Sequence, residues 1–134
     1  MNTPRDPRHR LGDEGERLAE RFLERRGLKT IARRFTTPVG ELDLVMRDGE
    51  TVVFVEVKTR RDRDFADPQD AVNVPKQRRL TRAAQWFIHD RRWEHRPCRF
   101  DVVAVTLAAG ADPQIEHFPD AFGPRRPRSG RRPG

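Results

Sequence analysis

Residues 41–58 restrict the fold more than any other part of the chain. Glu41 to Arg47 alternates, with Leu42, Leu44 and Met46 on one side and Glu41, Asp43 and Val45 on the other. That period of two is the signature of a strand. Thr51 to Val57, TVVFVEV, is almost continuously apolar and β-branched, as in a strand covered on both faces. Asp48-Gly49 between them is a hairpin turn signal. A turn symmetric about that dipeptide pairs Arg47 with Glu50, Val45 with Val52, Asp43 with Phe54 and Glu41 with Glu56. Facing residues share a side of the sheet, as do residues two apart on one strand. Glu41, Asp43, Glu56 and Lys58 are therefore expected on one side, with Asp43 and Glu56 as diagonal neighbours. The same parity holds for a two- or a four-residue turn.

This arrangement is costly alone. Like charges across a strand pair repel, and a carboxylate inside VVFVEVK carries a desolvation penalty of several kcal/mol. Either a cation joins the cluster or its pKa values rise. Carboxylate oxygens without His or Cys suit a hard ion, Mg²⁺ or Mn²⁺, which keeps several waters and also takes phosphate oxygens. Such an ion acidifies a coordinated water and stabilises charge on a phosphoryl group, and Lys58 on the same face could orient that water. The spacing equally fits ordinary salt bridges on a half-exposed face, Glu41 with Lys58 or Glu56 with an arginine. The apolar flanks of Glu56 argue against full exposure.

The rest of the chain supplies a frame for this hairpin. Leu11 to Arg26 reads as a helix, with Leu11, Gly15, Leu18, Ala19, Phe22 and Leu23 inside an arc of about 140° and Gly27 as a stop. Glu16 sits about 20° beyond Leu23, at the edge of the apolar arc. A strand is expected near Thr30 to Phe35. Asp62 to Val74 reads as a loop with at most one helical turn. Pro75 opens a second helix that runs to about Arg92, with Leu80, Ala83, Ala84, Phe87 and Ile88 on its apolar face. Arg99 to Leu107 is a further strand, and Gln114 to Phe118 a weaker edge strand. The order helix, three strands, helix, one or two strands predicts an α/β domain over residues 11–122, a central mixed sheet flanked by helices. Residues 1–10 form a flexible lead, and 123–134 a disordered basic tail.

Charge is informative only by location. The chain of 134 residues has a formal net charge of +7. Residues 124–134 hold five arginines and no acid, residues 1–10 hold three arginines and one aspartate, and the remainder carries 20 basic and 20 acidic residues. The tail can attract phosphates without sequence preference or serve only solubility. No run approaches the ~20 apolar residues of a membrane helix, and the charged start lacks the apolar core of a secretory signal. The single Cys98 cannot form an internal disulfide, so a reducing cytoplasm is the expected compartment. His9, His95 and His117 lack metal-ligand spacing, His89-Asp90 is half of a metal motif with no second pair and reads as a polar helix end, and no Ser-His-Asp set or glycine-rich phosphate loop is present.

Gly40-Glu41-Leu42-Asp43-Leu44-Val45 followed by Val53-Phe54-Val55-Glu56-Val57-Lys58-Thr59-Arg60 resembles the motif core of the PD-(D/E)xK nuclease superfamily. With Gly15-Glu16 and Ala19 in the first helix, Lys76 opening the second, and Arg99-Phe100-Asp101-Val102-Val103, the chain is similar over roughly residues 11–107 to the small bacterial YraN-like proteins. Leu42 stands where the superfamily's name has proline, which leaves the carboxylate in place. The resemblance implies a restriction endonuclease-like fold akin to Holliday-junction resolvases. It further implies metal ligation by Asp43 and Glu56, a catalytic Lys58, and Glu16 as the helix acid that supplements the metal site. Glu41 matches the family's GE-x-D without being required as a ligand.

Basic residues gather just past the proposed site: Lys58, Arg60, Arg61 and Arg63, then Lys76, Arg78, Arg79 and Arg82. If the loop after the third strand and the second helix flank one cleft, Arg60, Arg61, Lys76 and Arg79 make a phosphate-binding rim. Wheel spacing turns Lys76 inward near the first turn of its helix, where free amides also favour anions. Arg78, Arg79 and Arg82 taken singly are as well explained as solvated helix residues. Trp86 and Trp93 either stack on unpaired bases or cover a core edge, and the second use is the commoner. Asp101 reads as structural, paired with a nearby arginine. The expected function is a Mg²⁺- or Mn²⁺-dependent endonuclease acting on DNA rather than RNA, as a homodimer by analogy with junction-cutting enzymes. Its alternative is a non-catalytic nucleic-acid-binding module of repair or recombination. A scaffold whose charge cluster is only a salt-bridge network is the third.

Overall fold

Among the described residues, the two apolar periodicities of the chain become two helices and five strands. The computed structural model describes residues 7–61 and 72–123. Its order is α1 (Pro7–Arg25), β1 (Lys29–Thr37), β2 (Gly40–Asp48), β3 (Thr51–Arg61), α2 (Val74–Arg91), β4 (Cys98–Leu107) and β5 (Gln114–Phe122). The expected turn within residues 62–71, Arg63, and the tail beyond Gly123 lie outside the described residues.

The strands form one sheet in the order β1-β2-β3-β4-β5. β1, β2 and β3 run antiparallel in sequence, β4 pairs parallel to β3 from Val52↔Cys98 to Arg61↔Leu107, and β5 returns antiparallel on β4. α2 is the crossover that a parallel pair requires. This is the helix-flanked mixed sheet that the element order predicts, and it is consistent with the restriction endonuclease-like fold that the resemblance implies.

The helices cover opposite faces, which explains the unbroken apolar run of β3. Val52 and Phe54 point into a core with Val45, Phe100 and Val102 beneath Leu80, Ala83 and Phe87 of α2. Val53 and Val55 point into the other, with Leu44, Met46, Val103 and Val105 beneath Ala19 and Leu23 of α1. A strand covered twice has no solvent face to make polar, so Glu56 is an exception within it.

Both helices end on a left-handed residue. Gly27 (φ +98) closes α1, with Leu28 N–H returning to the Leu23 carbonyl at 3.1 Å and Gly27 N–H to Glu24 at 3.0 Å. Arg92 (φ 58) closes α2 in the same way, through Trp93 to Ile88 and Arg92 to His89. These are Schellman closures. α1 begins at Pro7, earlier than the expected Leu11, because proline is at ease in a first helical turn where its missing N–H has no intrahelical partner.

Two expectations change. The β2–β3 hairpin closes on Gly49-Glu50, with Asp48↔Thr51 as its last pair, rather than on Asp48-Gly49. Gly49 carries the positive φ (+61) at the first loop position, so the turn needs only one residue in that region, as in type II′. The register therefore moves to Val45↔Phe54 and Leu44↔Val55, where the ladder ends, and Asp43 and Glu56 are the residues that follow this last rung on either strand instead of a diagonal pair within it. β5 is also longer than expected, reaching Phe122. A register shift opposite Phe100/Val102, with Asp120 at φ 50, carries the strand past Pro119. Such a bulge is tolerated on an edge strand.

Candidate functional site

Glu56 is fixed by the strongest element of the fold. β3 is hydrogen-bonded on both sides and covered on both faces, so its side chains have little freedom. By alternation Glu56 follows Val52 and Phe54 onto the α2 side, where its side chain is only 10% exposed. A carboxylate at this depth requires a cationic partner. It has one in Lys76, whose Nζ lies 2.5 Å from Glu56 Oε2.

Lys76 is delivered by a well-defined helix start. The Asn73 side chain accepts the Lys76 N–H at 3.0 Å and Pro75 occupies the first turn, an N-cap with a proline behind it. The inward orientation expected for Lys76 is what the structure has.

Asp43 reaches the same place by following Val45 onto the α2 side, and the alternation of β2 breaks just beyond it. Leu42 packs on the α2 side with Val45, whereas Leu44 and Met46 pack on the α1 side. Leu42 is thus not on the side of Leu44 and Met46, contrary to the sequence pattern. The neighbouring β1 breaks at the matching place: Arg33 donates to Glu20 of α1 at 2.9 Å, Phe35 meets Phe87 of α2 at 4.9 Å between ring centroids, and Arg34 between them has φ 48. This local twist ends the β2–β3 ladder at Leu44↔Val55. The Asp43 carboxylate then takes over, with Oδ2 accepting the Val57 N–H at 3.1 Å.

The electrostatic consequence is marked. Burial, and next the like charge of Glu56, push the Asp43 carboxyl from 3.8 up to about 7, against the opposing pull of the Val57 N–H and of Lys76. Two carboxylates compete for one lysine. Gly40, Glu41, Asp43, Glu56, Lys76 and Arg79 border an open cleft of about 130 Å³. Oxygen donors alone, with surplus negative charge and a phosphate-sized opening, fit Mg²⁺ or Mn²⁺, which is held by one or two carboxylates and completes its shell with water and phosphate oxygens. Among the described residues no group of three or more His, Cys, Asp or Glu gathers for a metal, so the donors reduce to this pair.

The other expected site residues divide. Glu41 is exposed at the cleft mouth. Lys58 is exposed two residues beyond Glu56, on the same side by alternation, at the end of β3. Arg60 follows on that side half-buried, and the exposed Arg61 ends the strand on the other. Arg79 borders the cleft one turn along α2 from Lys76. Glu16 does not meet Asp43 and Glu56. It accepts from Arg34 Nε at 3.0 Å, and Asp13 pairs with the same guanidinium. α1 covers the other face of the sheet, and the left-handed Arg34 aims its side chain at that helix. Gly15 nonetheless seats the α1 backbone against Thr59, the residue after Lys58: a Cβ there would lie 2.8 Å from Thr59 Cβ and Cγ2.

A second charged cluster is structural. Asp101, with no exposed surface, accepts from Arg99 Nε (3.0 Å), His117 Nε2 (2.7 Å) and the Asp120 N–H (2.9 Å). Burial alone would raise its carboxyl, but the hydrogen bonds from His117, Arg99 and Asp120 hold it below the ordinary value. The arginine partner was expected and His117 was not. The only sequence signal was an acid inside an apolar strand, which demands several donors. Trp86 and Trp93 serve as core edge: Trp86 lies 6.0 Å from Phe35, and Trp93 lies 6.0 Å from Phe87 with Arg96 over its ring.

The chain is similar to known proteins over most of its length. Residues 15–105 match the model of the uncharacterised protein family UPF0102. A UPF0102 protein of Syntrophotalea carbinolica is 48% identical over 84% of this chain and 90% of its own length. One from Pseudomonas aeruginosa is 42% identical over 90% of this chain and 98% of its own. One from Rhodococcus jostii is 44% identical over 84% and 95%. The matched region begins at Gly15 and ends in β4, so it takes in every residue of the cleft.

Proposed function

The chain belongs to the uncharacterised protein family UPF0102, and on that premise we propose that it is a divalent-metal-dependent endonuclease hydrolysing DNA phosphodiester bonds. The observation that carries the proposal is the convergence of Asp43 and Glu56 on one cleft, with Asp43 driven to about 7 by burial and by its neighbour. Carboxylates are held together against their repulsion where a cation is to be bound.

Asp43 and Glu56 would hold Mg²⁺ or Mn²⁺, which supplies charge neutralisation for the phosphate and acidifies water. Lys58, at the open end of β3, orients the attacking water and steadies charge developing on the phosphate oxygens. Lys76, Arg79 and Arg60 bind the backbone phosphates beside the cleft, and Arg61, at the very end of β3, adds charge from the strand's other side. In the hydrolysis, the water oxygen bonds to phosphorus, one P–O ester bond breaks, and the departing oxygen takes up a proton. Glu16 could contribute only by releasing Arg34. A cytoplasmic setting and a homodimer belong to the same proposal.

The test is cleavage of linear, forked and four-way DNA with Mg²⁺ or Mn²⁺, beside Asp43→Ala and Lys58→Ala. Loss of at least about 100-fold in both variants is expected for groups acting directly on the reacting phosphate. Cutting that survives both substitutions assigns the activity elsewhere. A second reading, a binding module that recognises nucleic acid without cutting, is favoured by the Lys76–Glu56 ion pair. Tight binding of the same DNA panel with no cleavage under any metal would establish it.

A further inference from the structure

The Lys76–Glu56 contact poses a question that metal ligation leaves open. A divalent cation on the Glu56 carboxylate and an ammonium 2.5 Å from its Oε2 would repel each other at close range. From the geometry we infer that Lys76 is the built-in counter-ion of the site: it stands in for the divalent cation on Glu56 and swings to the substrate phosphate when the cation arrives. This rests on the metal-site reading above.

The two partners differ in freedom. Glu56 is on the doubly paired β3 with its side chain 10% exposed, so the carboxylate cannot follow a departing partner. The Lys76 side chain is 37% exposed and opens to the cleft. Its backbone is pinned by Asn73 and Pro75. The exchange is therefore a movement of the lysine stem alone, a long flexible chain that can carry its charge to water. Arg79, one turn along α2 and bordering the same cleft, marks where an anion would meet it.

Charge balance favours the exchange only with both partners present. Asp43 and Glu56, both ionised, exceed Lys76 by one negative charge. A divalent cation neutralises the pair completely and frees one ammonium, the complement of one phosphodiester. Metal without phosphate leaves that ammonium unpartnered, and phosphate without metal meets two carboxylates. The two ligands should therefore bind cooperatively, with the coupling located at Lys76.

Mn²⁺ binding is measured on the whole chain without DNA, by calorimetry and by electron paramagnetic resonance of the free ion, for the wild type and for Lys76→Met. Methionine keeps an unbranched stem and removes the charge. The variant is expected to bind Mn²⁺ at least tenfold more tightly, the opposite of what loss of a merely structural lysine would do. Equal or weaker binding overturns the inference and leaves the metal site standing. No Mn²⁺ binding by either protein overturns both. Should the variant fold poorly, a Mg²⁺ titration of the wild type followed at the Lys76 Cε and Nζ resonances decides. A change saturating with the metal supports the exchange, and a static ammonium in a metal-loaded protein refutes it.

Discussion

Replacing Asp43 by asparagine isolates the electrostatics of the cleft in the metal-free protein. Burial and the facing Glu56 hold the native Asp43 carboxyl at about 7, against an ordinary 3.8. Between those values the folded chain keeps a proton that the unfolded chain has released. Stability contributed by this group is thus fully present below about pH 4 and lost as pH rises towards 7. At about 1.36 kcal/mol per pH unit, a rise from 3.8 to about 7 amounts to about 4 kcal/mol. The substituted asparagine has no such proton, and its amide oxygen can still accept the Val57 N–H. Urea unfolding from pH 4 to pH 8 with a chelator present should show Asp43→Asn gaining on the wild type by up to about 4 kcal/mol across the range. Carboxylates elsewhere titrate alike in both proteins and cancel. Saturating Mn²⁺ should reverse the order at pH 8, since only the wild type has the full donor pair. Parallel pH profiles for the two proteins, or a wild type that gains on the variant towards pH 7, would refute this account of the pair.

Gly15→Ala should destabilise by about 1–3 kcal/mol in thermal or urea unfolding, because the new Cβ meets Thr59, whereas helix propensity alone favours alanine by about 1 kcal/mol. Gly12→Ala, with nothing within 4 Å, is the control and should be neutral or mildly stabilising. Asp101→Asn should cost about 2–4 kcal/mol at pH 7, since it turns an amide donor towards the donors of Arg99, His117 and Asp120. Because the Asp101 carboxyl is held below its ordinary value, its contribution is present above about pH 4 and is lost as pH falls through the native value, so the gap should narrow in melts at pH 3. Phe87→Ala, at a side chain with no exposed surface packed on Phe35, Phe54 and Trp93, should cost about 3–5 kcal/mol.

The hairpin, both helices and the β4 strand were legible because each rests on a period that one element alone satisfies. The register was not. Asp48-Gly49 and Gly49-Glu50 both place a glycine where the turn needs positive φ, and composition cannot choose between them. The burial of Glu56 and the inward turn of Lys76 could be read from their flanks, but their pairing could not, since residues 56 and 76 come together only through the crossover. ELDLV alternates perfectly as text, so nothing in it reveals that β2 twists at Asp43. That twist depends on the left-handed backbone of Arg34 in the adjacent strand. The same residue explains why Glu16, well placed on its wheel, is engaged elsewhere: its partner is set by the edge strand and not by its own helix.

The bond from the Val57 amide to Asp43 extends the β2–β3 ladder through a group whose charge can change. That one amide proton is then a native gauge of the cleft. Its resonance frequency and its exchange with deuterium should follow whatever occupies Asp43, whether hydrogen or cation, with no label attached to the protein.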